Sequence, residues 1–175
     1  MNAYELLNRV AAHQSDFPKT RLHDACLQGT NLSRINLRQS DLSGAELSGS
    51  DMSGACLQEA NMTNACLNDV NLVGANLVDI NLIGAELIRA DLSGADLSRG
   101  DLRCANLTGA NLSGANLIDA DLSGANLTDA NLTDANLSGT DTTGTDLSGT
   151  ILTQKIAIGA KAYGMSHRWI SWAGC

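Results

Sequence analysis

The chain has 175 residues, enough for one domain or one domain with small terminal pieces. Charged residues make up 17%, apolar residues 43%, and the formal net charge is -8. That balance is too apolar and too weakly charged for a disordered chain. It also has the wrong sign for a protein that grips nucleic-acid phosphates with a basic face. No run of about 18 apolar residues occurs, which excludes a membrane-spanning helix. Residues 1–19 lack the basic start and apolar stretch of a secretory signal, so a cytoplasmic location is expected.

The first predicted element is a helix over residues 2–13. Ala3, Leu6, Leu7, Val10 and Ala11 share one face, and Asn2 with Glu5 has capping-box spacing. Phe17-Pro18 ends it.

From Thr20 to Gln154 the chain repeats every five residues, 27 times, and such a period takes precedence over any helix or strand assignment. The central position of each copy runs 22, 27, 32 and so on to 152. It is Leu in 24 copies; Met52, Met62 and Thr142 are the exceptions. Two residues earlier stands a small residue, Ala in 16 copies. Immediately before the centre stands Asn in 12 copies, Asp in 8 and Glu in 2. After it come mostly Ser or Thr, then Gly or Asp, as in Ala110-Asn111-Leu112-Ser113-Gly114.

On an α-helix, steps of five would rotate successive leucines by roughly 140° and give no face. Strand alternation sends the small residue and the Leu to the same side and the Asn or Asp outward. Five is odd, so the chain must bend once per repeat, and pairs such as Ser-Gly, Thr-Asp and Ser-Arg favour that turn. The expected shape is a coil of short straight edges, each paired with the edges one turn above and below.

The A-[DN]-L-x-x copies, such as Ala45-Glu46-Leu47-Ser48-Gly49, resemble the pentapeptide-repeat family over 135 of 175 residues. The resemblance implies an all-β solenoid, a right-handed quadrilateral parallel β-helix with four repeats per turn. Its 27 repeats would make about seven coils, a rod about 32 Å long at ~4.8 Å per strand. The aromatics Tyr4, Phe17, Tyr163, Trp169 and Trp172, and the single proline, Pro18, fall outside the repeats. A narrow leucine interior is expected to exclude rings, and proline would remove a ladder donor.

A solenoid leaves apolar interior and unpaired backbone at both ends. Residues 1–19 are therefore read as an N-terminal α-helical cap. Residues 155–175, with Ile156, Ile158, Met165, Trp169, Ile170 and Trp172, are read as a C-terminal cap or association segment. The chain is expected to be a monomer, or a homodimer through a solenoid end.

No constellation carries chemistry. Cys26 and Cys66 share an outward column but stand two turns apart, ~9.6 Å, beyond the roughly 7 Å that a disulfide tolerates. Cys56, Cys104 and Cys175 add no metal-ligand spacing, and His13, His23 and His167 are dispersed. The glycines keep the five-residue beat of corners rather than forming a phosphate loop. A filled convex rod offers no cleft. The reading is no catalytic residue, no cofactor and no metal.

Two features could form an interaction surface. Residues 39–88 hold seven acids and no Lys or Arg, and residues 104–154 hold six acids and no base. Between them Arg89, Arg99 and Arg103 stand beside Asp91, Asp96 and Asp101. Stacking every 20 residues puts Asp101, Asp121 and Asp141 in one column, where like charges repel. Val73, Val78, Ile83 and Ile88 form an apolar belt, one residue per face, where Ser or Thr is usual. With Trp169 and Trp172 these are the candidate contact residues. The sequence reads as a non-catalytic protein-interaction or scaffold rod. The resemblance also implies an alternative, a DNA mimic acting on DNA gyrase, although this chain has no loop inserted between repeats.

Overall fold

A computed structural model describes residues 1–152. Helix α1 spans Ala3–Ala11, two residues inside the predicted C-terminal bound. Asn2 caps it, its side-chain oxygen accepting the Glu5 N–H at 2.8 Å. Leu6 is fully buried in the same apolar cluster as the coil interior, with Met1, Ala3, Leu7 and Val10 packed partly against it. Ala11, expected on that face, is exposed.

Beyond α1 the described chain advances by a straight edge and a corner every five residues. Each edge is too short to be a strand. Instead single residues form parallel bridges with the residue twenty positions on, from Asp16 with Asn36 to Asn131 with Ile151. Four repeats therefore close one turn. A corner follows each edge, and from Lys19 to Gly149 its second residue has φ between 54° and 75°. Thirteen of these 27 corner residues are Gly; among the other 14, seven are Asp or Asn, which tolerate the left-handed region.

The backbone amides account for the sequence pattern. In the repeat Ala110–Gly114, the Asn111 N–H donates to Ala90 of the preceding coil at 2.9 Å. The Leu112 and Gly114 N–H groups donate to Asn131 and Thr133 of the next coil at 2.7 and 2.8 Å. The Ala110 N–H closes its corner on the Leu107 carbonyl at 3.0 Å. The fifth amide, of Ser113, lies outside the ladder and donates to the Asn111 side-chain oxygen at 3.2 Å. This last bond recurs at every one of the 20 Asn and Asp residues before a centre, from Asn31 with Ser33 to Asp146 with Ser148. A following Ser or Thr often adds its hydroxyl to the same oxygen, as Thr128 does to Asn126 at 2.6 Å.

The interior is filled. Every central residue from Leu22 to Leu132 is at most 2% exposed. Burial fades through Leu137 to Thr142, Leu147 and Leu152, where the described residues end. A cavity of about 10 Å³ among Leu122, Leu132, Leu137 and Thr142 has room for about one water.

The structure corrects one expectation about rings. Phe17 occupies a central position, is 3% exposed and donates its N–H to Asn36 at 2.8 Å. The end coil admits a ring because Leu6 and Arg9 of α1 lie beside it rather than another tightly spaced coil; the Arg9 guanidinium carbon stands 4.8 Å from the ring centroid. Pro18 costs the ladder nothing. It sits at the position whose amide the ladder does not use, with Lys19 supplying the positive φ of 57° that follows.

Two substitutions test this account. Leu97→Ala leaves a cavity in a closed interior and should cost about 2–5 kcal/mol in denaturant unfolding. Asn131→Ala removes the acceptor for Thr133 and should cost about 1 kcal/mol, whereas Asn131→Asp, which keeps the oxygen, should cost clearly less. Equal losses for the two Asn131 variants would sink the acceptor role.

Candidate interaction surfaces

With the interior filled, the outward side chains are what a partner can touch. They stand in four columns of bridging residues and four lines of corners, repeating every twenty residues.

The bridging columns are more ordered than a solvated polar face. Where Asn stands one coil above an acid, its amide donates down to the carboxylate: Asn61 to Asp41 at 3.2 Å, Asn71 to Asp51 at 3.1 Å, Asn111 to Asp91 at 3.1 Å and Asn116 to Asp96 at 3.0 Å. Asn106 does the same to Glu86 at 2.9 Å. These rungs tie neighbouring coils. Asp41 has its pKa held below the ordinary 3.8, chiefly by the Ser43 hydroxyl.

Asp101, Asp121 and Asp141 do stack in one column, each bridged to the next. Arg103 relieves the first step. Its guanidinium makes two bonds to Asp101, at 2.8 and 2.7 Å, and reaches Asp121 at 3.8 Å. Ser123 and Thr143 donate to Asp121 and Asp141 at 2.6 Å.

The other band arginines act across coils rather than beside their sequence neighbours. Arg89 pairs with Asp69 at 2.7 and 2.6 Å, and Arg99 with Asp79 at 2.8 and 2.7 Å, corner over corner. Arg38 and Gln39 hold Glu59 in the same manner, at 3.1 and 2.7 Å. Hydrogen bonds from these partners hold the Asp69, Asp79 and Glu59 carboxyls below their usual range.

The apolar belt is present but divided among four faces. Val73 is 40% exposed, while Val78, Ile83 and Ile88 are half-buried. The Val73, Val78 and Ile83 amides go to Asn71, Asn76 and Asn81. Ile88 follows Glu86-Leu87 and borrows Asn68 of the coil below, at 2.9 Å. The structure therefore does not bring the four into one patch. Trp169 and Trp172, with Cys175 and His167, lie outside the described residues.

Cys26, Cys56, Cys66 and Cys104 are free thiols. Among the described residues, no group of three or more His, Cys, Asp or Glu could hold a metal ion, and no helix is long and apolar enough to cross a membrane.

The acid column yields a pH prediction. Asp101 has its pKa depressed below 3.8, mainly by the Arg103 hydrogen bonds. Its contribution is present above the unfolded value of 3.8 and fades as pH falls through the lower folded value. Arg103→Gln should lower the unfolding midpoint most at neutral pH and low salt. The gap to the parent should close as the pH drops well below 3.8. A gap of unchanged size between neutral pH and a pH of about 2 would show that Arg103 acts by packing rather than charge.

The pentapeptide-repeat family model, described as "Pentapeptide repeats", matches the chain in 8 copies over residues 7–34, 30–69, 65–103, 105–141 and 115–154. No curated protein sequence matches the chain. Among solved structures, the chain is similar to Rfr23, a pentapeptide-repeat protein from the cyanobacterium Cyanothece 51142. Identity is 25% and the TM-score 0.54, over 86% of this chain and 99% of that one. HetL, a pentapeptide-repeat protein involved in heterocyst differentiation regulation from Nostoc sp. strain PCC 7120, is 30% identical over 86% of this chain and 94% of that one, with a TM-score of 0.36. QnrB1, a plasmid-mediated fluoroquinolone resistance protein, is 19% identical over 79% and 91%, with a TM-score of 0.30. Pentapeptide-repeat proteins fold as right-handed quadrilateral β-helices and are generally structural or interaction rods rather than enzymes. The matched repeats, the bridges at twenty-residue spacing and the filled interior place this chain in the pentapeptide-repeat family.

Proposed function

We propose that the protein is a non-catalytic interaction rod whose partners are proteins that read its outer columns. The observation that carries this is the filled interior. From Leu22 to Leu132 the centre of the coil is closed to solvent, and the side chains left outward are short, polar and regularly spaced. A surface of that kind suits broad recognition by complementarity rather than enclosure of a small substrate. In this reading α1 is the lid of the first coil, since Leu6 extends the leucine interior past Phe17. Residues 155–175 cover the other end, or join two copies there. The apolar rim of Leu147, Leu152 and the 56%-exposed Ile151 supports a need for cover.

Acidity supports a second reading, a DNA mimic that binds gyrase. Residues 39–154 hold sixteen acids against three arginines, a balance of -13, and a rod of that sign presents a potential like that of a duplex.

Affinity capture from the native cell extract tests the main reading. The full chain should retain a defined partner. Changing Val73, Val78, Ile83 and Ile88 together to Ser should weaken retention if the belt contributes. Removing residues 155–175 should lower the unfolding midpoint or alter sedimentation; a shortened chain that stays monomeric with an unchanged midpoint removes both roles for that segment. Titration into a gyrase supercoiling assay separates the readings. Inhibition, or protection from a quinolone, at low micromolar protein favours the mimic, and unaffected supercoiling dismisses it.

A further inference from the structure

The first coil carries a different charge from the rest of the rod. Residues 1–38 hold five bases and three acids, a balance of +2, against -13 for residues 39–154. Between α1 and the first coil lies an open groove of about 560 Å³, with Arg9, Lys19 and Arg21 among its lining residues and Asp16 as its one acid. The Asp16 carboxylate already accepts the Asn36 amide at 2.6 Å.

The state of these cations distinguishes them. Arg38, Arg89, Arg99 and Arg103 are each committed to a carboxylate. Arg9 instead is fixed by uncharged groups. It lies over the Phe17 ring, its Nε donates to Gln14 at 2.7 Å, and an Nη approaches the Met1 sulfur at 3.7 Å. Lys19 and Arg21 are exposed and form no ion pair among the described residues. A guanidinium held without an ion pair, in a groove that two further cations also line against a single acid, is pre-organised for anionic groups.

We propose that this groove seats a carboxylate-rich peptide segment of a partner protein. The inference rests on the interaction-rod reading and names the chemistry of one partner. A nucleic-acid strand fits poorly, because a backbone leaving the groove would run onto the acidic coils that begin at Asp41 and Glu46. A single small anion would fill little of the volume. A second copy of this chain presents its acids on faces and corners of the rod, several of them engaged by Asn or Arg, and neither supplies an extended segment that lies along a groove. An extended acidic segment does, with the exposed Pro18 offering apolar contact between the charges.

Fluorescence anisotropy of the full chain with a fluorescein-labelled acidic octapeptide, Glu and Asp around one central Leu, tests this. Saturable binding is expected, despite the net charge of -8. Affinity should fall at least about tenfold in the Lys19→Glu, Arg21→Glu double variant, and strongly as salt rises from about 50 to about 300 mM. Arg9→Gln should weaken binding as well, and the Gln/Asn version of the peptide should not bind. Both residues of the double variant are exposed, so its circular dichroism should match the parent. Absent binding, or equal binding by the double variant, overturns the proposal. So does full competition by millimolar inorganic phosphate, which would assign the groove to single anions. Self-association of the parent that the double variant abolishes would give the groove to a second copy. Partner capture from extract that survives the double variant leaves the rod reading intact and removes the groove from it.

Discussion

A five-residue repeat of edge and corner leaves one amide without a backbone acceptor, and an Asn or Asp oxygen two residues earlier takes it at most repeats. That bond fixes much of what the sequence repeats. The acceptor must be short enough to reach back to its own chain, which suits Asn and Asp and not Glu. The residue that donates is best a Ser or Thr, whose hydroxyl reaches the same oxygen. The next residue must adopt positive φ to turn the chain, hence Gly, Asp or Asn at most corners. Pro18 fits the rule from the other side, lacking the very amide that the ladder does not use.

Once the corners are set, the inward positions have no freedom. Bridged coils stack at one strand spacing, so each interior layer admits four central side chains and four small ones. Leucine fills the centre, and a ring enters only in the first coil, where α1 rather than another layer lies beside it. Such an interior is closed to ligands, and its repetition gives each layer only nearest-neighbour contacts. Recognition is left to the columns and to the two ends, where the repeat stops and the side chains cease to be interchangeable.

The fold was legible because a period of five that holds for 135 residues excludes an α-helix and forces a bend. The stacking of Asp101, Asp121 and Asp141 followed from the same arithmetic. Less legible was anything that depends on which atoms meet. Asn and Asp alternate before the centre because both offer the same oxygen to the backbone. Arg89 and Arg99 stand beside Asp91 and Asp96 in sequence. Corners stack on corners, though, and the partners are Asp69 and Asp79, twenty residues back. The twenty-residue shift that stacks the bridging column stacks the corners as well, and carries the signal for these pairs. The ring at Phe17 was excluded by a rule that holds between layers and lapses at an end. The cations of the groove were visible only as a local excess of bases, without the helix that brings Arg9 over Phe17.

The same bond bears on the acidity. Asn satisfies the free amide as well as Asp does, and where it stands above an acid it also donates a rung. The coil therefore does not require the eight aspartates in these columns. Each could be Asn with the turn intact, and Asp over Asp at 101 and 121 opposes like charges that Arg103 must offset. Charge on this rod is thus a variable separable from its shape. A long-range field of one sign, with the cations that form no ion pair among the described residues lying in the first coil and α1, affects solubility and encounter rather than folding. The aspartates of these columns are thus a part of the outer surface whose charge the turn does not dictate.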